Sequence, residues 1–176
     1  MKAKTALIVP VLLVLARPVY AEEVTIPMRL TAPDGVGQAV GEIRAKDTPN
    51  GLQLMPDLRG LPPGPHGFHA HENPNCGAKV QDGKPVPGLA AGGHYDPDKT
   101  GAHRGPTGKG HRGDLPLLRV DADGTATSPV IAPHLSVKDL KGRSLMIHEG
   151  GDNYSDKPKP LGGGGARIAC GVVGAG

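Results

Sequence analysis

Glycine and proline are unusually frequent in this chain and limit what it can fold into. The sequence contains 28 glycines and 19 prolines, together 47 of its 176 residues. Each one inside a helix costs about 1 kcal/mol for glycine or about 3 kcal/mol for proline, which disfavours helical bundles, coiled coils and large doubly wound folds. The chain is nonetheless 37% hydrophobic and only 21% charged, too apolar for a disordered tail. We therefore expect a loop-rich globular fold.

The first 21 residues are organised like a secretory signal peptide. Two lysines open the chain, residues 6–16 are almost wholly apolar, and residues 19–21 form a small-residue cleavage pattern before a charged Glu-Glu pair. The apolar run is too short to cross a bilayer, which takes about 20 residues; an uncleaved membrane anchor is the alternative. We therefore expect a signal peptide at residues 1–21 and an exported domain at residues 22–176.

Cleavage would also change the charge balance of the protein. Lys2, Lys4 and Arg17 would leave with the signal, which reduces the 20 basic residues to 17, equal to the 17 acidic ones. A near-neutral domain has no global attraction for nucleic acid or for a membrane surface. We therefore expect neither as a partner, and the attraction of an anion must come from the local placement of charge.

The two cysteines, Cys76 and Cys170, would meet an oxidising environment after export. Two cysteines allow a single intramolecular pairing, so a Cys76–Cys170 disulfide is the expected state. It would close nearly the whole mature domain into one loop, a constraint worth at most about 4 to 5 kcal/mol of stability. Free thiols or an intermolecular pair are the alternative.

Short strand patterns separated by turns run through the domain. In residues 23–30 apolar side chains alternate with polar or small ones, as in a strand buried on one face. Further strand patterns lie at residues 40–44, 51–54, 66–72, 115–120, 125–131, 144–148 and 166–173. Together they predict an all-β antiparallel sandwich or barrel, with a hairpin joining residues 115–120 to residues 125–131.

Two long segments, residues 73–113 and residues 149–165, show no periodicity and are rich in glycine. Long loops without secondary structure are uncommon in compact domains and are usually functional. The strands therefore read as a scaffold and the two loops as the site. One helical turn is predicted at residues 136–140, with Ser136 as its cap and Asp139 three residues further on.

His69 and His71 lie two residues apart on a predicted strand. Because successive strand side chains alternate between faces, both imidazoles project to one side while Phe68 and Ala70 point to the other. Two ligands on a stiff strand form half of a preorganised metal site. The His-x-His pattern is a weak signal when it stands alone.

A stronger cluster lies in the first glycine-rich loop, where His94, His103, His111 and Asp114 follow one another. Three imidazoles and one carboxylate complete a tetrahedral set, which suits zinc. The alternative is a solvated loop that contains histidines by chance. His148, at the end of a predicted strand, would add a third imidazole to the strand pair.

Three imidazoles with an open coordination position suit copper redox chemistry better than structural zinc. If His94 faced both groups of ligands, its deprotonated imidazole could bridge two metals. Spacing along the sequence does not show that bridge.

Four blocks stand in order along the chain: GFHAHE at residues 67–72, GGHYDP at 92–97, GHRGDLP at 110–116, and the segment 160–172. Together they resemble the copper–zinc superoxide dismutases, and above all the exported bacterial branch of that family. The resemblance extends over residues 24–173. It implies a Greek-key β-sandwich or flattened barrel with two long functional loops.

The resemblance also implies which side chains hold the metals. It assigns copper to His69, His71, His94 and His148, and zinc to His94, His103, His111 and Asp114, with His94 as the bridge. Cys76 and Cys170 correspond to the disulfide of the family.

Other residues receive roles beside the metals through the same resemblance. Arg167 corresponds to the arginine that guides and hydrogen-bonds the anion beside copper, and His94 to a catalytic proton carrier. Asp152 corresponds to a carboxylate that links a copper-ligand histidine to a zinc-ligand histidine. His66 matches a structural histidine, and His134 is expected to be an exposed loop residue.

The activity implied is the disproportionation of superoxide to dioxygen and hydrogen peroxide by a periplasmic enzyme with copper and zinc as cofactors. The alternative is a periplasmic copper- or zinc-binding protein without catalysis, which would need the histidines but not Arg167. Monomers and dimers both occur in the bacterial branch, so a homodimer stays open. Its predicted contact surface comprises Tyr95 and residues 55–63.

Overall fold

Antiparallel strands are the main regular structure in the described part of the chain, as the glycine and proline content predicts. The computed structural model describes residues 22–174, and the predicted signal peptide at residues 1–21 lies outside them. The strands are β1 (Glu23–Ala32), β2 (Gly35–Thr48), β3 (Gly51–Leu58), β4 (Gly64–His66), β5 (Phe68–His71), β6 (Lys79–Gln81), β7 (Lys84–Val86), β8 (Leu118–Val120), β9 (Val130–Ala132), β10 (Ser144–His148) and β11 (Arg167–Val172).

Helical structure in the described part of the chain is limited to three short pieces. The α-helix α1 spans Val137–Leu140, and 3-10 turns span Leu89–Ala91 and Pro160–Gly163. The backbone N–H of Ser136 donates to Asp139 Oδ2 over 2.9 Å, so the predicted cap is confirmed. None of these pieces is long and apolar enough to cross a membrane.

Seven strands form one antiparallel sheet in the order β5-β10-β11-β1-β2-β3-β9. The sheet curls over its core, and the pairing of β11 with β1 brings the two ends of the domain together. Two-stranded pairs, β4 with β8 and β6 with β7, complete the architecture. The all-β expectation is therefore confirmed, and β5 and β10, which carry three of the predicted ligands, are neighbours.

The core lies on the concave side of the sheet. Alternate residues of β1, Ile26 and Met28, are fully buried while their neighbours are exposed, as a strand with one wet face requires. All residues of β5 and β10 are buried, because the two long loops cover the outer face of these strands. The single phenylalanine, Phe68, points into the core from β5.

The predicted hairpin between residues 115–120 and 125–131 is only half right. The turn forms, since Asp121 N donates to Thr125 O over 2.7 Å and Gly124 N donates to Asp121 O over 2.9 Å. The strands on either side do not pair with each other, because β8 pairs with β4 and β9 pairs with β3. The turn depends only on local residues, whereas the pairing of the strands depends on how the whole core packs.

The first long loop contains a hairpin that periodicity missed. Strands β6 and β7 pair across a two-residue turn in which Asp82 has φ 51° and Gly83 has φ 74°. Two consecutive positive φ values are what a type I′ hairpin turn needs, and Asp-Gly supplies them at little cost. The dipeptide was the available signal, but three-residue strands are too short to show alternation.

The predicted disulfide between Cys76 and Cys170 is confirmed, with 5.7 Å between the Cα atoms. Both cysteines are buried beside Met146 and Ala91. The bond joins the start of the first long loop to β11, whose first residue is Arg167. It therefore ties the strand that carries this arginine to the loop that passes over it.

Candidate metal centre

Strand β5 presents His69 and His71 on the same side, with ring centroids 6.3 Å apart. Phe68 and Ala70 point into the hydrophobic core from the opposite face, as strand alternation predicts. Pairing with β10 fixes the position of both histidines along the sheet, since His69 lies opposite Met146 and His71 opposite Ser144. Two imidazoles are thereby held on a stiff strand inside the protein.

His148 and His94 complete a group of four imidazoles around this pair. His148 ends β10, and its ring centroid lies 4.9 Å from that of His69 and 5.6 Å from that of His71. His94 enters from the first loop through a backbone bridge to His71. One nitrogen from each of the four rings lies within 4.8 Å of the other three. We call these four residues the strand set.

Each imidazole of the strand set uses one nitrogen to fix its own orientation. His69 Nε2 donates to Asp152, His71 Nδ1 to Gly92 O over 3.0 Å, and His148 Nδ1 lies 3.3 Å from Gly165 O. The opposite nitrogens, His69 Nδ1, His71 Nε2, His94 Nε2 and His148 Nε2, are buried without a partner. Buried polar atoms are normally satisfied, so four unpaired nitrogens that converge point to a cation between them.

A second group of side chains converges on the carboxylate of Asp114. Its Oδ1 lies 3.0 Å from His94 Nδ1, 2.9 Å from His103 Nδ1 and 3.3 Å from His111 Nδ1. His103 and His111 form no hydrogen bond through these nitrogens despite the short distances. Three imidazoles and one carboxylate are a donor set typical of zinc. We call these four residues the loop set.

Distance alone also brings His69 within 4.8 Å of His94, His103 and Asp114. We nevertheless place His111 in the loop set, since the Nε2 of His69 is taken up by Asp152 and its Nδ1 belongs to the strand set. His111 is the most exposed member, with 10% of its side chain accessible. The loop set is therefore nearly closed to solvent.

His94 is the residue that the two sets share. Its Nδ1 faces Asp114, and its Nε2 is one of the unpaired nitrogens of the strand set. Spacing along the sequence raised a shared histidine only as a possibility, because it does not determine where each ring nitrogen points; the family resemblance assigned that part to His94. The geometry brings both nitrogens of this one ring into the two sets.

Asp152 joins the two sets from behind. Its Oδ2 accepts a hydrogen bond from His69 Nε2 over 2.8 Å, and its Oδ1 accepts one from His103 Nε2 over 2.7 Å. The backbone N–H of Tyr154 also donates to Oδ1. Gly162 passes so close that a Cβ there would lie 1.9 Å from Oδ1, and its φ is +70°, so only glycine fits.

Arg167 stands at the edge of the strand set. It lies opposite His148 in the pairing of β10 with β11. Its guanidinium donates from Nη1 to Gly88 O over 2.6 Å and from Nη2 to Gly92 O over 2.7 Å. The positive charge is close enough to lower the pKa of both His71 and His148. A fixed cation therefore borders the strand set.

Burial dominates the protonation of the imidazoles in the strand set. It lowers the pKa of His69 to about 3 and that of His148 to about 4, and it holds the pKa of His71 well below 6.5. His103 differs: burial again lowers its pKa, but the adjacent carboxylates of Asp114 and Asp152 outweigh burial and raise it to about 9. Neutral imidazoles are the form that binds metals.

The two remaining histidines lie apart from these sets. His66 is buried, with Nδ1 2.7 Å from His148 O and Nε2 2.7 Å from Pro62 O, which agrees with the structural role expected for it. His134 is exposed, as expected. Tyr95, which follows the shared histidine, is partly buried, and the guanidinium of Arg143 lies 3.7 Å above its ring.

Sequence reasoning missed the backbone carbonyls that orient the side chains of the strand set. Gly88, Gly92 and Gly165 supply the acceptors for Arg167, His71 and His148. Glycines in loops are the sequence signal for backbone carbonyls of this kind, but that signal does not identify the side chain that donates to each carbonyl. Sequence reasoning also missed Asp156, whose carboxylate accepts from the backbone N–H of His103, 53 residues away along the chain.

A curled β-sheet that buries two histidine sets around one shared imidazole defines a protein with a two-metal site. Residues 39–173 match the family model described as copper/zinc superoxide dismutase. A curated protein of Salmonella typhimurium strain LT2, Superoxide dismutase [Cu-Zn] 1, is 59% identical over 151 residues, which are 85% of this chain and 85% of that protein. The chain belongs to the copper/zinc superoxide dismutase family.

Solved structures agree with this assignment. The Cu/Zn superoxide dismutase from Brucella abortus superposes with a TM-score of 0.85 at 55% identity, over 86% of this chain and 99% of that chain. The solution structure of the monomeric copper, zinc superoxide dismutase from Salmonella enterica gives 0.78 at 53% identity, with coverage of 86% and 99%. The expected β-sandwich is thereby confirmed.

The chain is accordingly an enzyme that converts superoxide to dioxygen and hydrogen peroxide, with copper and zinc as cofactors. Curated relatives from Brucella abortus and Escherichia coli are named superoxide dismutase [Cu-Zn]. These findings support the enzymatic interpretation, and they do not support a metal-binding protein without catalysis.

The pKa directions predict how the metal-free protein responds to pH. Groups with a lowered pKa, such as His69 and His148, bind fewer protons in the folded than in the unfolded chain below pH 6.5. Stability should therefore fall from about pH 6.5 toward about pH 4, by about 1.4 kcal/mol per pH unit for each such imidazole. His103, with its raised pKa, should lose its contribution as the pH rises from about 6.5 to about 9.

Urea unfolding of the chelator-treated protein across this range would measure the effect. The expected profile has its maximum near pH 6.5. A free energy of unfolding that rises on acidification below pH 6.5 would contradict the assignment of buried, neutral imidazoles.

Proposed function

We propose that the strand set, comprising His69, His71, His94 and His148, holds copper. The loop set of His94, His103, His111 and Asp114 holds zinc, and His94 serves both. The observation that carries this proposal is the group of four buried, unpaired imidazole nitrogens in the strand set. An all-imidazole set suits copper, and three imidazoles with a carboxylate suit zinc.

Bound copper supplies the one-electron chemistry that superoxide disproportionation needs. The chain supplies the ligand geometry, a place for the anion and a proton. His94 would carry the proton at Nε2 when that nitrogen does not ligate the metal, because its Nδ1 is committed to the loop set. Two superoxide anions and two protons give one dioxygen and one hydrogen peroxide, so the second proton comes from solvent.

Asp152 is a positioning residue in this proposal. By accepting from the Nε2 atoms of His69 and His103, it fixes which nitrogen each ring offers to its metal. Carboxylate partners of this kind also raise the basicity of the ligand.

Replacing Asp152 with asparagine is expected to weaken zinc binding about 10- to 100-fold. An amide oxygen can accept from only one of the two imidazoles, and the amide NH₂ would face the other N–H. Titration with a chelator, followed by metal analysis, measures the effect. The control His134→Ala removes an exposed imidazole and should leave both metals bound; unchanged zinc retention in Asp152→Asn would count against the proposed role.

Arg167 is the proposed guide for the anion. It borders the strand set, and its guanidinium is held by two carbonyl oxygens. The mature chain is near neutral, so local charge has to attract superoxide. The alternative is that Arg167 is an exposed strand residue in a surface ion pair, which would contribute less than about 1 kcal/mol to stability.

Arg167→Glu should retain both metals but lower the rate at low ionic strength about 10-fold or more; superoxide dismutases are established examples of such steering, from which this range is taken. Added salt should slow the wild-type enzyme, and the variant should slow less or speed up. Arg59→Glu makes the same charge change on an exposed side chain beyond β3 and is the matched control. Wild-type rate and salt dependence in Arg167→Glu would refute this role.

Residues 1–21 are the proposed signal peptide, residues 22–176 the mature enzyme domain, and the periplasm its location. The support is the basic start, the apolar run and the small-residue pattern in the sequence. Intact mass spectrometry of the exported protein should give a chain that begins at Glu22. A mature protein that keeps Lys2 would contradict this proposal.

The partner proposed for the mature enzyme is superoxide, without nucleic acid or membrane, since its formal charge is balanced. Monomer and homodimer both stay open for the oligomeric state. Within the contact surface predicted for a homodimer, residues 57, 59–60 and 62–63 are exposed, whereas Tyr95 is partly covered by Arg143.

A further inference from the structure

Glu72 and Asn73, directly after β5, hold the loop segment 90–93 by four hydrogen bonds. Two are backbone bonds, from Asn73 N to Ala91 O over 3.0 Å and from Glu72 N to Gly93 O over 3.1 Å. Asn73 Nδ2 donates to Ala90 O over 3.1 Å, and Gly93 N donates to Glu72 Oε1 over 3.0 Å. Carbonyls 90, 91 and 93 are thus directed toward residues 72 and 73.

The carbonyl of Gly92 is the exception in this segment and turns toward the strand set. It accepts from His71 Nδ1 over 3.0 Å and from Arg167 Nη2 over 2.7 Å. One oxygen therefore orients both an imidazole of the strand set and the guanidinium beside it.

This carbonyl and the N–H of Gly93 belong to the same peptide unit, which is rigid and planar. In a trans peptide the C=O and N–H point in opposite directions, so the carboxylate that binds the N–H also fixes the direction of the carbonyl. The unit lies between two glycines, and it can rotate more easily than one flanked by side chains. Glu72 is the side chain that opposes this rotation.

The packing around Gly92 supports a close fit with Glu72. Gly92 has φ +77°, and a Cβ there would lie 2.3 Å from Glu72 Oε1. The carboxylate therefore lies directly against the peptide that it orients. Donation of the Gly93 N–H to a charged acceptor also polarises the peptide and strengthens the bonds that its carbonyl accepts.

We propose that Glu72 is a positioning residue that aims the Gly92 carbonyl, and through it orients His71 and Arg167. The inference rests on the copper and anion roles proposed above for those two residues. Glu72 is exposed, and its negative charge opposes the attraction of an anion, so any favourable effect on the site has to come from another role. Holding the Gly92–Gly93 peptide is that role.

Three variants separate the hydrogen bond from the charge. Glu72→Gln keeps the length and an acceptor oxygen but loses the charge, Glu72→Asp keeps the charge but is one methylene shorter, and Glu72→Ala loses both. The measurement is the affinity of the copper- and zinc-loaded proteins for azide, a small anion, followed by the absorption of copper. Hydrogen exchange of the Gly93 amide in the same samples reports the hydrogen bond directly, without activity.

Glu72→Asp and Glu72→Ala should bind azide about 3- to 10-fold more weakly than wild type, with faster exchange at Gly93. Glu72→Gln should bind azide as well as wild type or better. Wild-type affinity in all three variants would overturn the proposal. A Gln variant that binds azide as weakly as the Asp variant would also overturn it, because the length of the side chain would then not decide azide binding. Loss of metal in all three variants would overturn it too, because Glu72 would then be needed for metal binding rather than for positioning.

Arg167→Gln, measured alongside, distinguishes this inference from the proposed function. If it binds azide like wild type, the anion role of Arg167 is wrong, and the proposal for Glu72 falls with it. If Arg167→Gln weakens azide binding while Glu72→Asp and Glu72→Ala do not, the proposed function stands and the positioning role alone is wrong.

Discussion

The rest of the site depends on the two hydrogen bonds that the Asp152 carboxylate accepts from imidazoles. The carboxylate lies between two buried imidazoles, His69 from strand β5 and His103 from the first loop, and it comes from the second loop. Burial alone would raise the pKa of this carboxyl, but hydrogen bonds from the two imidazoles and from Tyr154 N hold it well below its usual range. One charged group thus joins a strand and two loops.

The curled sheet gives this arrangement its rigidity. Strands β5 and β10 are adjacent, so three imidazoles of the strand set stand on paired backbones rather than on loops. The next strand, β11, carries Arg167 at its start and Cys170 further along, and the disulfide ties it to the loop start at Cys76. Three imidazoles of the strand set and the guanidinium of Arg167 are therefore fixed by the same three neighbouring strands.

Local chemistry allowed much of the site to be predicted from the sequence. Strand alternation placed His69 and His71 on one face, and the single possible cysteine pairing gave the disulfide. The partners of β8 could not be predicted, because pairing is decided by the whole core. The sequence also did not show which nitrogen His71 directs into the strand set, because its Nδ1 is bound by the carbonyl of a glycine 21 residues away.

Loop order and metal binding are coupled in such a domain. The segment between β7 and β8 buries few large apolar side chains, so hydrogen bonds and ion ligation have to offset the entropy of ordering it. Three of its side chains, His94, His103 and Asp114, are buried polar groups, which are costly unless they are paired. A cation in each set would satisfy the imidazole nitrogens that the protein itself leaves unpaired, and metal binding would then stabilise the loops that form the site.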